Sequence, residues 1–435
     1  MIRVRLENIG ILQEADIMLN GLTVISGFNN TGKSTVGKTL FSIFHGVQSY
    51  KLDYPKAAVQ YLARDFRELL VATAENNNAR YDINFRKSPY RTALDYSIEG
   101  IEGYITQDFS YVPDEKKQFV QERVSRLKER LQQIKSPEFE FEVLTSTVMD
   151  TFRKELGRNP KNVFADESIN GSVQIFHNDG KEKLLSLTNN NLVLYENGFK
   201  QLQSNPLFPE VNYIETPFLI DEMDRFHDII NFRTPSVTSH KEAMLYKLVA
   251  PKSDEDVIEA SLRKKRMEAM NGEIAKVLPG SIEYRNHFVY QCDGYEFDLS
   301  TLATGMKSYA MLQLLLQNGY LPEEALLIID EPEIHLHPAW QLLYAEMLVL
   351  MVKKLHIYLV IATHSPYFLQ ALNIFQEKHG LGDKVHFYLA ESQATGAVIS
   401  NIDGNLEKSY NLMAEPILTL RKYRDEMQEQ ADESN

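Results

Sequence analysis

Two short stretches hold the residues best suited to chemistry. Gly27-Phe28-Asn29-Asn30-Thr31-Gly32-Lys33-Ser34-Thr35 fits the pattern G-x-x-x-x-G-K-[ST]. Its glycines let the backbone fold round an anion, so that successive N–H groups and the start of the next helix point at a phosphate. Lys33 brings a positive charge to the β/γ position of a nucleotide, and the Ser34 hydroxyl is a Mg²⁺ ligand. The second stretch is LLIIDEPEIHLHP, Leu326 to Pro338, where Asp330 and Glu331 follow four large apolar residues. A strand ending in two acids is a weak signal alone, and it gains weight from the phosphate loop.

Elements that would position these groups are legible nearby. Leu22 to Ser26 reads as a strand feeding the loop, and Val36 to Phe44 as the opening of a helix after it. Leu326 to Ile329 reads as a buried parallel strand, which places Asp330 and Glu331 at its C-terminal end, where α/β sheets bind ligands. His356 to Ala362 reads as the next buried strand and ends at Thr363-His364-Ser365-Pro366, so that a histidine stands beside the phosphate site. Ile2 to Leu6 alternates apolar and basic residues, and Ala15 to Leu19 offers a further strand before the Asn20-Gly21 turn. Ser300 to Ser308 is a small-residue turn opening an apolar helix, Tyr309 to Gln317, a second candidate anion site.

Composition bounds the answer. The chain has 435 residues, 43% of them hydrophobic, enough for two or three domains with cores of their own. Its net charge of −14 repels nucleic acid and acidic membranes on average, which argues against general DNA coating but not against a local clamp. The one cysteine, Cys292, excludes an internal disulfide and a cysteine-ligated metal, and a buried free thiol is expected. Charges occupy the N-terminus where a signal peptide needs an apolar core, and no run approaches the ~18 apolar residues of a membrane span. The expected compartment is the cytoplasm.

Between about Ser49 and Ser300 the motifs stop, so residues 49–299 read as an insertion between two halves of one nucleotide-binding domain, 1–48 and 300–435. Val120, Val124, Leu127, Leu131 and Ile134 are spaced as on an amphipathic helix of about two and a half heptads, either an arm for a partner or a helix packed on its own domain. Val173 to Phe176 and Leu192 to Tyr195 read as hairpin strands around Asn178-Asp179-Gly180 and Asn189-Asn190-Asn191, and Val211 to Pro217 as a core strand leaving the insertion. Arg263-Lys264-Lys265-Arg266 lies in a helical pattern from Val257 to Leu278, where a solvated face is the commoner reading and phosphate contact the alternative. Short strands are expected near Ile282, Val289 and Phe297. A helix is expected from Ala339 to Lys354, strands near Val385 to Leu389 and Ala397 to Ile399, and a last helix from Leu406 to about Met427. Tyr213 and Phe218 read as core.

Phosphate loop, long insertion, small-residue turn, acidic strand and strand-histidine follow one another as in ABC-type ATPase heads, which the chain resembles at both ends. Ile2 to Ser34 is similar to the start of SMC-like and RecF-like heads. DEPEIHLHP with THSPYFL more closely resembles the overcoming-lysogenization-defect (OLD) class of bacterial ATPases, several of which serve anti-phage systems. The resemblance implies an α/β P-loop NTPase fold with a mixed β start and a long, largely helical insertion. It implies ATP and Mg²⁺ as cofactors, held by Gly27 to Thr35, with Asp330 holding the metal through water. Glu331 would position or activate the attacking water, and His364 would be a switch histidine at the γ-phosphate. Ala303-Thr304-Gly305, with Lys307, resembles the signature motif, which acts in trans on the ATP of a second subunit and so implies a head-to-tail homodimer. Ala303 stands where that family usually has serine, which implies slow hydrolysis. The family's glutamine loop has no evident counterpart, and Gln107 and the segment around Glu215 are left unassigned. His335 and His337 read as structural or dimer-contact residues rather than metal ligands.

OLD-class nucleases carry a C-terminal nuclease domain, whereas here Glu391, Asp403 and Glu407 form no tight acidic set for two metals, so no nuclease activity is expected. The expected function is a homodimeric ATPase switch in anti-phage defence that controls a separately encoded effector, a nuclease being the foremost candidate. The alternative is a repair or recombination ATPase of the SMC/RecF kind that clamps DNA, and a transporter's nucleotide-binding subunit ranks last.

Overall fold

In the computed structural model the described residues are 1–74, 96–157, 170–177, 182–188, 191–204, 207–222, 238–252, 256–285 and 287–433. They divide into two compact units, Met1–His45 with Met149–Asn435, and Gly46–Val148.

The first unit is built on an eleven-stranded sheet. Its strands are β1 (Ile2–Ile9), β2 (Leu12–Leu19), β3 (Leu22–Gly27), β4 (Ser172–His177), β5 (Glu182–Thr188), β6 (Asn191–Leu194), β7 (Val211–Ile214), β11 (Leu326–Asp330), β12 (Tyr358–Thr363), β13 (Val385–Gln393) and β14 (Gly396–Asn401). Strands β8 (Ser281–Tyr284), β9 (Phe288–Cys292) and β10 (Tyr295–Asp298) form a small antiparallel sheet in the order β10-β9-β8. The large sheet runs β6-β5-β4-β1-β2-β14-β13-β3-β12-β11-β7. Neighbours from β13 to β7 are parallel, whereas β6 to β2 are antiparallel.

That division follows from the sequence patterns. β3 and β11 are apolar almost throughout and buried at every residue, as parallel strands covered on both faces must be. β1 alternates buried and half-buried residues, the pattern of a strand with one wetter face. The main core gathers β-strand residues such as Leu327 and Ile361 with the helices Thr304–Gln317, Pro338–Leu355 and Pro366–His379.

Several expectations are corrected here. Strands do flank the Asn20-Gly21 turn as expected, but they do not pair with each other, because β14 and β13 stand between β2 and β3. Of residues 49–299, expected to form an insertion, only 49–148 fall in the second compact unit, Gly46–Val148, since β4 to β7 complete the main sheet. Val257 to Leu278 is helical only to Ile274, with Pro279 and Gly280 close behind. Cys292 is a half-buried thiol rather than a buried one. Asn178-Asp179-Gly180 and Asn189-Asn190 lie outside the described residues.

The second unit packs the helices Ile98–Ile105 and Asp114–Ile134 around Leu62, Phe66 and Leu69. Val120, Leu127, Leu131 and Ile134 are all buried there, so the heptad-like face is used within its own unit. In the basic cluster, Arg263 donates to the Gln317 carbonyl (2.6 Å) and Arg266 pairs with Glu259, while Lys264 and Lys265 are exposed. No helix among the described residues is long and apolar enough to cross a membrane.

Candidate functional site

Four parallel strands deliver the candidate site at one end of the sheet. Their register sets Ser26 of β3 opposite Thr363 of β12, Asp330 of β11 opposite Ala362 of β12, and Ile329 of β11 opposite Ile214 of β7. The strand ends are therefore level, and the loops that leave them carry Lys33, His364, Glu331 and Glu215 side by side.

After β3 the chain makes the phosphate loop. Gly27 has φ +145°, and a Cβ there would lie 2.4 Å from the Ala390 carbonyl oxygen, so only glycine fits. Gly32 has φ +82° and Asn30 φ +62°, left-handed values that glycine and asparagine accept. The helix Lys33–Ala74 starts immediately, with the Val36 N–H donating to the Gly32 carbonyl at 3.1 Å. Phe28, Asn29, Asn30 and Ser34 are exposed, Thr35 is half-buried, and Thr31 is buried with its hydroxyl donating to the Phe28 carbonyl at 2.7 Å. Lys33 is 5% exposed, and its ammonium donates to the carbonyls of Gly27 (2.9 Å) and Phe28 (2.7 Å). Burial pulls its pKa below 10.5, against the opposing pull of Glu331, Asp330 and Glu333.

Asp330 ends β11 and is 7% exposed. The Tyr213 hydroxyl donates to its Oδ2 at 2.6 Å, whereas Oδ1 is buried and has no hydrogen-bond partner. Burial raises the Asp330 carboxyl above its usual range, Tyr213 and Ser34 counteract, and the charges of Glu215 and Glu331 add to the rise. Tyr213 is pushed well above 10 by its own burial and by Asp330, so it stays a donor. Glu331 takes φ +46°, uncommon for a residue with a Cβ, and its N–H is held by the Ala362 carbonyl at 2.8 Å. Its carboxylate lies 3.3 Å from Nδ1 of His364, a half-buried residue at the end of β12.

Beneath these groups lies Glu333, which is 4% exposed. Its Oε1 accepts from the Thr363 hydroxyl (2.6 Å), the His364 N–H (3.0 Å) and the Ser365 N–H (3.2 Å), and Nδ1 of His364 lies 3.4 Å away. Burial raises the Glu333 carboxyl, against the hydrogen bonds that favour its charge. On the far side of Tyr213 its ring stacks on His240 at 4.6 Å. His240 Nδ1 meets Glu155 at 2.6 Å and its Nε2 meets Glu215 at 3.3 Å, while Lys38 (3.3 Å) and Lys241 (2.8 Å) also pair with Glu215.

A family model described as an AAA ATPase domain matches residues 1–369. The chain belongs to that ATPase family. It is also similar to solved structures over most of its length, at low identity. These are the SMC head domain from Thermotoga maritima (12% identity, 92% of this chain and 98% of that one, TM-score 0.35) and an SmcHead bound to the C-winged helix domain of ScpA (10% identity, 92% and 96%, TM-score 0.39). A third is a Smc head domain with an extended coiled coil, bound to the C-terminal domain of ScpA derived from Pyrococcus furiosus (11% identity, 95% and 99%, TM-score 0.35). No curated protein matches the chain.

The residues of this ATPase domain fit a nucleotide with Mg²⁺. A carboxylate and a hydroxyl, Asp330 and Ser34, are the oxygen donors that the ion requires. The Oδ1 of Asp330 is a buried acceptor without a partner, and three acids surround the single loop lysine, so the site is short of positive charge. Among the described residues no set of three His, Cys, Asp or Glu side chains is placed to hold a metal by itself.

The remaining residues singled out from the sequence are dispersed. Ala303 is exposed and precedes the helix Thr304–Gln317 without capping it through a side chain. Gly305 is buried, and a Cβ on it would meet Leu336 at 2.9 Å and Trp340 at 3.2 Å. Lys307, expected to reach a second subunit's nucleotide, is 5% exposed and donates to Asp221 at 2.6 Å. His337 caps the helix Pro338–Leu355, its Nδ1 accepting from the Ala339 N–H at 3.2 Å, and His335 packs edge-on against Phe218. Gln107 belongs to the second unit, and Asp403 is held by His386 at 2.9 Å. Glu333 and the Tyr213 hydroxyl are the site groups that sequence reasoning missed; the third acid of DEPE was the available signal for the first.

Proposed function

We propose that this ATPase domain binds and hydrolyses ATP with Mg²⁺ and works as a homodimeric switch on a separately encoded effector, foremost a nuclease, in bacterial anti-phage defence. The observation that supports it is the convergence of Lys33, Ser34, Asp330, Glu331 and His364 at level strand ends. Phosphoryl transfer needs charge neutralisation and an oriented water more than covalent chemistry, and these groups supply both. Mg²⁺, held by Ser34 and by Asp330 through water, would neutralise the β- and γ-phosphate oxygens. Lys33 exchanges its two loop carbonyls for those oxygens. Glu331, half-exposed at the turn after β11, orients the attacking water and takes its proton, and His364 contacts the γ-phosphate. Ala303 and the N–H groups of Thr304 and Gly305 cap the γ-phosphate of the second subunit, with Lys307 supporting the turn from beneath through Asp221. The absent serine hydroxyl at Ala303 makes turnover slow.

The experiment is light scattering and ATP turnover on two variants, with pull-down from the native cell. Lys33→Ala loses ATP affinity about 100-fold, as expected for a charged phosphate contact. Glu331→Gln keeps ATP, slows turnover about 100-fold or more and accumulates as a dimer that retains a protein partner. Wild-type turnover in Glu331→Gln would remove the catalytic assignment. A trapped dimer that holds DNA in a salt-sensitive way, with no protein partner, would favour the repair-clamp reading instead. Gly305→Asp is an unsuitable probe of the trans contact, since the added atoms press on Leu336 and Trp340.

A further inference from the structure

Glu333 is a buried acid of the site that accepts three hydrogen bonds on one oxygen, yet the reaction outlined above gives it no role. It sits three residues past Asp330, behind Pro332, on the loop that leaves β11, and its carboxylate accepts hydrogen bonds from the end of β12 and from the loop that leaves it. Two backbone N–H groups in succession, of His364 and Ser365, point at one oxygen together with the Thr363 hydroxyl. A carboxylate is well suited to this task, since its lone pairs can receive several donors at once and its charge strengthens each bond. Thr363 is fully buried and Glu333 is 4% exposed, so water does not compete for the bond between them.

The same oxygen lies 3.4 Å from Nδ1 of His364, and Oε1 of Glu331 lies 3.3 Å from that nitrogen. One imidazole nitrogen thus has two carboxylates near it, one half-exposed and one buried. Oε2 of Glu333 and Nδ1 of His364 are both buried with no hydrogen-bond partner, so ring and carboxylate are in ion-pair range without a hydrogen bond between them. Just beyond, the Ser365 hydroxyl accepts from the Phe368 N–H at 3.1 Å and starts the helix Pro366–His379, which fixes the far end of the same loop.

We infer that Glu333 is a positioning residue of the ATPase reaction, locking the Thr363-His364-Ser365 loop to the loop that carries Glu331 and so setting the His364 ring for the γ-phosphate. The inference rests on the ATPase reading of this site. Glu333 touches neither nucleotide nor water in this role; it acts through His364.

The test is a double-mutant cycle between Glu333→Gln and His364→Ala, reading kcat, KM and ATP affinity by calorimetry. The amide side chain of Glu333→Gln keeps the volume and one acceptor oxygen but loses the charge. Glu333→Gln lowers kcat roughly 10- to 100-fold, the scale of a small misplacement of a reacting group, and leaves ATP affinity within about twofold. In the His364→Ala background the same substitution changes kcat by less than about twofold, because the residue through which it acts is gone. Thr363→Ala removes a single donor to Glu333 and gives a weaker effect with the same dependence on His364, which keeps the test open if Glu333→Gln does not fold. Additive losses in the cycle, or a fall in ATP affinity parallel to that in kcat, would overturn the inference while leaving the ATPase reading in place. Absence of turnover in the wild type would overturn that reading and the inference with it.

Discussion

The two compact units bury acids in opposite ways. In Gly46–Val148, Asp65 is 4% exposed at its side chain and has Arg130 at 2.5 Å, Arg126 at 3.6 Å and Arg123 at 3.7 Å. In the sheet unit, Asp330 and Glu333 are about as deeply buried, yet the nearby Lys33 spends its ammonium on loop carbonyls, and among the described residues no lysine or arginine pairs with either acid. A carboxylate surrounded by guanidiniums holds helices together. Burial without a cationic partner raises the carboxyls of Asp330 and Glu333, and a cation held at Asp330, as proposed, would offset that rise there.

This contrast can be broken by substitution. Asp65→Ala has the largest expected effect, since it leaves clustered guanidiniums without their buried partner; it should cost about 3 kcal/mol in urea denaturation. Full stability in that variant would show that the arginines are served by water. Tyr213→Phe removes the donor from Asp330 and should lower thermal stability by about 1 kcal/mol, with Mg²⁺-ATP narrowing the gap to the wild type. An unchanged gap would mean that cation and hydroxyl do not compensate the same charge.

The smallest effect is a pH dependence at His240. Burial lowers its pKa, but Glu155 and Glu215 together outweigh that and raise it above 6.5, and Lys38 and Lys241 also face Glu215. The stabilisation is therefore complete below 6.5 and lost as pH rises through the raised value. Glu215, held well below its usual 4.5 chiefly by His240, behaves in the opposite sense, its contribution being kept above 4.5 and lost as pH falls. The stability difference between wild type and His240→Gln should shrink on raising the pH, and a gap that grows would reverse the assignment.

Much of the site was legible because local pattern and local function coincide in it. The phosphate loop needs its glycines, lysine and serine within nine residues, and β11 and β12 announce themselves as apolar runs ending at Asp330 and Thr363. Glu333 was missed because an acid after proline in a polar run reads as solvated surface. Of the two aromatics placed in the core, Phe218 is exposed and Tyr213 is buried, but a tyrosine in an apolar strand gives no hint of where its hydroxyl points. The extent of the insertion was misjudged for a related reason, since β4 to β7 find their partners at β1 and β11, far away in sequence.

What the sequence by itself determined is the set of groups proposed to meet phosphate and metal, because their spacing follows from backbone geometry over a few residues. Only the tertiary structure decided what supports those groups. The parallel pairing of β7 with β11 brings Tyr213 to Asp330, and that of β11 with β12 brings Glu333 under the His364 loop. Strand order is set by burial of whole faces across the chain, and no local spacing encodes it.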